Sequence, residues 1–297
     1  MAAVAVGWGA PRPAPNASGS EGAGPVSGFM TTRYQEHPPP ADLRAWVQCF
    51  WTMAAATPGP HTHRVLPDGC IDILFEVVGA REGESYVVGM MTRPLLVARD
   101  EPSHFTAVRF KPGGAARFFR EPLHRLTDAR VELRELWPRP LPLLERLAET
   151  AAVRERCDLL AAELRRRLGQ SPRRGHAGCS LAVRRLAYAP ETRVRELCAE
   201  LGVSRQALAR SFHDHVGVAP KTLARVLRLQ RALGMIAPRA GGGGALPWAE
   251  LAVAAGFYDQ AHMIAEWRAL VGLTPSDFLA ESGGRVPFLQ DSESSAG

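Results

Sequence analysis

The sequence predicts an α+β chain: a small, largely β N-terminal sensor-like domain, a helical connector, and an all-α C-terminal domain with two helix-turn-helix units joined by a long helix. Three observations predict this. Between residues 34 and 137, short apolar runs of strand type are separated by Pro/Gly turns. From about Leu181 the apolar residues recur at helical spacing instead. Within that helical part, one pattern of glycine turn, cap and i, i+4 apolar pair occurs twice.

Composition sets the outer bounds. A chain of 297 residues has room for about two domains. Its net charge of +6 and pI near 9.4 favour a polyanionic partner. The basicity is almost wholly arginine, with Lys111 and Lys221 the only lysines. The five cysteines are scattered without a CxxC pair, which argues against a zinc ribbon and a disulfide framework. No apolar run is long enough to span a membrane, so the expected setting is cytoplasmic. No nucleophile elbow, phosphate loop or paired-carboxylate motif points to an enzyme or a cofactor.

In chain order, residues 1–29 are rich in Gly, Ala, Pro and Ser and are expected to be disordered. Met30 opens ordinary protein sequence and is the expected natural start. Residues 30–137 are expected to form the N-terminal α+β regulatory domain. There LRAWVQCFW suits either helix or strand, and Pro67-Asp68-Gly69 is a turn signal. Ile71, Ile73 and Phe75 alternate with Asp72, Leu74 and Glu76, as in a mostly buried strand. SYVVGMM, PLLVARD and FTAVRF are further strand-like runs, the last followed by a Pro-Gly-Gly turn and a short helix. His61 and His63 form an H-x-H pair that can ligate metal, with His104 a further candidate; loop histidines are the plainer reading. Cys70, between Asp68 and Asp72, reads as a strand-core thiol rather than a reactive one.

Residues 138–170 read as the helical connector, with Thr150 as cap and Gly169 as terminator. Its stripe of Val153, Cys157, Leu160, Leu164 and Leu168 suits packing in cis or a homodimer seam. Residues 171–180 read as a hinge and 281–297 as a disordered tail.

Residues 181–280 carry the repeat. In the first unit Val194, Leu197, Cys198 and Leu201 form an apolar stripe and Gly202 makes the turn. Ser204 caps a second helix whose Leu208 and Phe212 face inward, leaving Arg205, Gln206, Ala209 and Arg210 outside. In the second unit Gly256, Asp259, Met263 and Trp267 take these places. Gly217 and Pro220 follow the first unit; Gly272 and Pro275 follow the second. Between them Pro220 opens a long helix with Leu223, Val226, Leu227 and Leu233 on one side and Arg225, Arg228 and Arg231 on the other. Two such pairs on one helix are suited to placing two helices in adjacent major-groove segments of DNA.

The runs LCAELGVSRQALARSF, GVAPKTLARVLRLQRAL, AAGFYDQAHMIAEW and GLTPSDF resemble the DNA-binding domain of the AraC/XylS family of bacterial transcription regulators. The segment from Pro40 to Trp137, with LPDG and FKPGG, resembles the N-terminal domain of a less characterised subgroup and implies no particular ligand. The resemblance implies base-edge contacts from Gln206, Ala209 and Arg210, with Arg205 beside them, and from Gln260, Ala261 and Ala265 in the second unit. Ser204, Arg225, Arg228, Asp259 and Arg268 are the expected phosphate contacts. It also implies double-stranded DNA as partner, RNA polymerase if the protein activates, and an N-terminal domain that senses a small molecule or mediates dimerisation. The chain departs from the pattern at Ala265, where the family usually has Arg. Glu266 beside it is expected to bring negative charge near phosphates. The four-glycine spacer is also unusual. The alternative is a metal-binding or catalytic N-terminal module on a DNA-binding tail.

Overall fold

The computed structural model describes residues 32–55, 61–77, 84–99, 103–137, 140–170, 177–238 and 246–282. The expectations for residues 1–29, for Met30 and for residues 283–297 lie outside these residues, as does the four-glycine run. The fold class is the expected one: an antiparallel β domain followed by helices.

The N-terminal sheet has the strand order β1-β2-β7-β4-β5-β8. Its strands are β1 (Thr32–His37), β2 (Val47–Ala55), β4 (Ile71–Val77), β5 (Ser85–Val88), β7 (Ser103–Phe110) and β8 (Arg130–Glu132). A separate two-stranded ribbon pairs β3 (His61–Val65) with β6 (Leu95–Arg99). The ambiguous LRAWVQCFW resolves into a turn followed by strand β2. Its β-branched and aromatic half enters the sheet, where flanking strands satisfy its backbone groups. His61 and His63 lie on β3 rather than in a loop.

Side-chain alternation gives the sheet two different faces. On one, Phe50, Val108, Ile73, Val87 and Val131 form a register row across five strands, all buried. This row joins the main core, where Phe110 meets Phe118 at 5.0 Å and Phe119 stacks on Trp137 at 6.0 Å. The other face holds Tyr34, Cys49, Trp51, Tyr86, Phe105 and Ala107 around a charged centre. There Arg109 meets Asp72 at 3.0 Å and Asp68 at 3.5 Å, while Trp51 Nε1 donates to Asp72 at 3.1 Å. Burial works against the Arg109 charge, but the two carboxylates more than offset it and hold the guanidinium above its usual range. Burial raises the Asp72 carboxyl against the pull of Arg109, and raises the Cys70 thiol far above its usual range.

Helices α1 (Leu133–Leu136), α2 (Leu141–Glu149) and α3 (Val153–Gln170) follow. The α3 stripe packs in cis: Cys157, Leu160, Ala161 and Leu164 are buried in the main core. The Arg167 guanidinium lies 3.7 Å from the Trp137 ring. Two expected boundaries shift. Thr150 ends α2 instead of capping α3; its hydroxyl donates to the Arg146 carbonyl at 2.6 Å, and its own carbonyl receives Arg156 Nε. Gly169 lies within α3, which continues to Gln170.

The C-terminal helices are α4 (Ala177–Tyr188), α5 (Val194–Leu201), α6 (Arg205–His215), α7 (Pro220–Ile236), α8 (Trp248–Ala254), α9 (Gln260–Val271) and α10 (Pro275–Glu281). Helix α4 begins inside the expected hinge because Cys179 and Ala182 belong to its buried face. The two domains share one continuous core.

Candidate nucleic-acid interface

The interface grows from two local signals that the chain uses twice. Gly202 takes φ +63° and Gly256 takes φ +92°, backbone that glycine adopts without a Cβ penalty. Each turn leads to a capped helix. Ser204 Oγ accepts from Ala207 N at 3.1 Å, and Asp259 Oδ1 accepts from His262 N at 2.7 Å. Helices α6 and α9 are then anchored by equivalent pairs, Leu208 with Phe212 and Met263 with Trp267, all buried. Each unit closes on a left-handed glycine, Gly217 at φ +100° and Gly272 at φ +82°. A helix with proline in its first turn follows each glycine.

The outward faces of the two helices differ. On α6, Arg205, Gln206 and Arg210 are exposed and Ala209 is partly so. Among the described residues, no hydrogen bond or ion pair engages those two arginines or Gln206. On α9 the exposed residues are Gln260, Ala261, Ala265, Arg268 and Ala269. Counting from the caps, Gln206 and Arg210 are matched by Ala261 and Ala265.

The arginine stripe of α7 is placed differently from expectation. Arg225, Arg228 and Arg231 share one side of α7, but that side is turned onto neighbouring segments rather than left to solvent. Arg225 Nε is hydrogen-bonded to Glu266 Oε2 on α9. Arg228 Nη1 donates to the Pro190 carbonyl at 3.0 Å, and its guanidinium lies 5.6 Å from the Phe257 ring. Burial lowers its pKa, while Glu266 acts in the opposite direction. Arg231 Nη2 donates to the Tyr188 carbonyl at 3.1 Å, and its Nη1 lies 3.5 Å from Glu191. A Cβ on Gly256 would lie 3.4 Å from Arg228 Cδ, so the second turn rests on this stripe.

The stripe therefore ties to α7 the second unit and the 188–191 segment that leads into the first. Glu266 is correspondingly not a loose negative charge near phosphates: it is largely buried, paired with Arg225, and 3.6 Å from His262 Nε2. Sequence reasoning missed this function. The available signal was the i, i+3, i+6 arginine spacing opposite a lone glutamate, but the partner carbonyls of Tyr188 and Pro190 leave no trace in side-chain identity.

The N-terminal domain reaches both units. Thr127 Oγ1 donates to the Gly217 carbonyl at 2.7 Å, just beyond the end of α6. A Cβ on Gly217 would stand 3.0 Å from that hydroxyl and 3.2 Å from the Leu123 carbonyl, which makes glycine doubly required. The Pro67 carbonyl accepts from Gln230 Nε2 on α7 at 2.7 Å. Gly69, in the same turn, faces Leu223. Arg64 on β3 makes two bonds to Glu281, at 3.0 and 3.1 Å, and donates to the Val271 carbonyl at 3.0 Å. LPDG is thus a contact with the helical domain as well as a turn.

Two family models agree with this division. Residues 197–281 match a family model described as a helix-turn-helix domain. Residues 35–132 match one described as a domain of unknown function (DUF6597). Among curated proteins, none matches the chain. Among solved structures the chain is similar to ToxT from Vibrio cholerae, with 10% identity, 78% of this chain and 98% of that chain covered, and a TM-score of 0.45. A ToxT structure from Vibrio cholerae O395 gives 10%, 78%, 97% and 0.44. A third, from the same strain and bound to (E)-4-(8-methylnaphthalen-1-yl)but-3-enoic acid, gives 11%, 78%, 98% and 0.45. Two capped helices hung from one connecting helix, matched across both units by the helix-turn-helix model, make residues 197–281 a helix-turn-helix domain.

Proposed function

We propose that this chain is a transcription regulator of the AraC/XylS type, that it binds DNA sequence-specifically and that α6 is its principal reading helix. The observation that carries this is the state of the arginines. Those on α7 are engaged within the domain, whereas Arg205 and Arg210 stand exposed on α6 with Gln206 between them. Arginine can donate two bonds to guanine O6 and N7, and glutamine can pair with adenine N6 and N7. Phosphate contacts then fall to Ser204, to the nearby helix N-termini and to the exposed Arg268, rather than to Arg225 or Arg228, while the Asp259 carboxylate, an acceptor that repels phosphate, serves as the cap of α9.

Residues 30–137 are assigned as the regulatory domain, with 138–170 packed onto it and 181–280 as the reading domain. The regulatory domain takes a small-molecule effector or mediates dimerisation. Its contacts at Gly217, Gln230 and Val271 support control of DNA binding through the relative position of the two units. The setting is cytoplasmic, the protein is not an enzyme, and RNA polymerase is a partner if it activates. Selection from a random duplex library tests the reading. The expected product has two half-sites whose centres lie roughly 10 base pairs apart. Binding without sequence preference overturns it.

A further inference from the structure

The outward surface of the second unit is the most apolar part of the candidate interface. Ala261, Ala265 and Ala269 are exposed along α9. Tyr258, one residue before the cap, is 87% exposed, and Val253 on α8 is 64% exposed. The carboxylate of Glu266 is withdrawn into its pair with Arg225. The Asp259 carboxylate accepts from the backbone at the start of its own helix. Gln260 and Arg268 are the exposed side chains of α9 that retain strong donors. Where α6 presents Gln206 and Arg210, α9 presents two methyl groups.

A methyl group in the major groove has one favourable partner. Each base pair exposes donors and acceptors there, and their desolvation by an alanine is uncompensated. The exception is the C5 methyl of thymine, which gains from apolar contact. An i, i+4 pair of alanines on a helix in the groove therefore selects thymine and disfavours guanine and cytosine.

Resting on the reading of the two units as a DNA-binding pair, we propose that α9 reads thymine methyl groups through Ala261 and Ala265, with Tyr258 adding apolar cover at the helix N-terminus. The operator is then asymmetric in chemistry: a half-site read by hydrogen bonds under α6, and a thymine-rich half-site read by methyl contacts under α9.

The test uses the full chain and the duplex recovered by selection. Thymines of each half-site are replaced by uracil, which keeps every hydrogen-bonding group and removes only the methyl. The expected result is about a fourfold loss of affinity per contacted methyl in the second half-site, from the transfer value of one buried carbon, and little change in the first. The variant Ala265→Arg is expected to abolish the uracil penalty at one base pair and to select guanine there. Uracil substitution that leaves affinity unchanged across the second half-site overturns the proposal. So does an Ala265→Arg variant that alters self-association while leaving DNA preference intact, which would mark the patch as a protein contact. Failure to select any duplex instead overturns the parent reading, and is distinguishable because no half-site then exists to substitute.

Discussion

Replacing Arg228 separates a structural tie from a phosphate contact. Arg228→Met keeps the aliphatic stem and removes the guanidinium. The wild-type side chain makes one charge-assisted bond to the Pro190 carbonyl at 3.0 Å and lies 5.6 Å from the Phe257 ring. A hydrogen bond to a charged group contributes about 1.5–3 kcal/mol, and a partly exposed cation–π contact about 0.5 kcal/mol. Release of a half-buried charge to water acts the other way, as the lowered pKa implies. The net expectation is a stability loss of about 2 kcal/mol, read as a lower urea midpoint at unchanged m. Binding to duplex DNA is measured in parallel across salt concentrations. No condensed counterion is displaced by Arg228, so the slope of log K against log salt stays at the wild-type value. A phosphate contact would instead lower it by about 0.9. An unchanged urea midpoint with a shallower slope would refute the placement of Arg228 as an internal tie.

Other expected outcomes follow from the same geometry. Arg210→Ala should weaken binding to the selected operator by about 1–3 kcal/mol and relax preference at one base pair, with thermal stability unchanged; competition with single-base operator variants checks this. Arg64→Ala should cost less than about 1 kcal/mol in global stability because its partner Glu281 is half-exposed. Faster hydrogen exchange at residues 271–282 would report the local loss. Arg109→Ala leaves Asp72 buried without its partner and should destabilise by about 3–5 kcal/mol; adding Asp72→Asn should recover part of the loss in a denaturant titration. Burial pushes the Cys157 and Cys179 thiols from 9.0 up to about 11. The unfolded chain therefore loses these protons first as pH rises. Their contribution to stability is intact below about pH 9 and fades between there and about pH 11, which unfolding curves across that range will register.

Legibility in the sequence followed the range of the interactions. The alternation around Ile73 and the caps Ser204 and Asp259 are written in residues within a few positions of one another, so strand β4 and both helix starts could be read directly. The same holds for the glycine turns, since a positive φ at Gly202 or Gly256 is a local demand. What could not be read depends on distant partners. Arg228 meets a carbonyl 38 residues away, and Gln230 one that is 163 residues away. A backbone carbonyl carries no identity in the sequence, so from sequence alone Arg228 reads as a phosphate contact. Thr150 was misplaced for a related reason. Its hydroxyl suits either a helix start or a bond back to the preceding turn, and the Arg146 carbonyl decided the matter.

The Thr127–Gly217 bond also makes α6 a lever. Its far end, beyond His215, is pinned to the N-terminal domain, while Arg205 begins the end that the proposed reading places in the groove. Eleven residues at helical rise give an arm of about 16 Å, so a tilt of about 5° at the pinned end displaces Arg205 by about 1.4 Å. That exceeds the tolerance of a hydrogen bond to a base edge. On that reading, a shift of the 123–127 segment too small to alter the N-terminal core is sufficient to disengage the proposed base contacts.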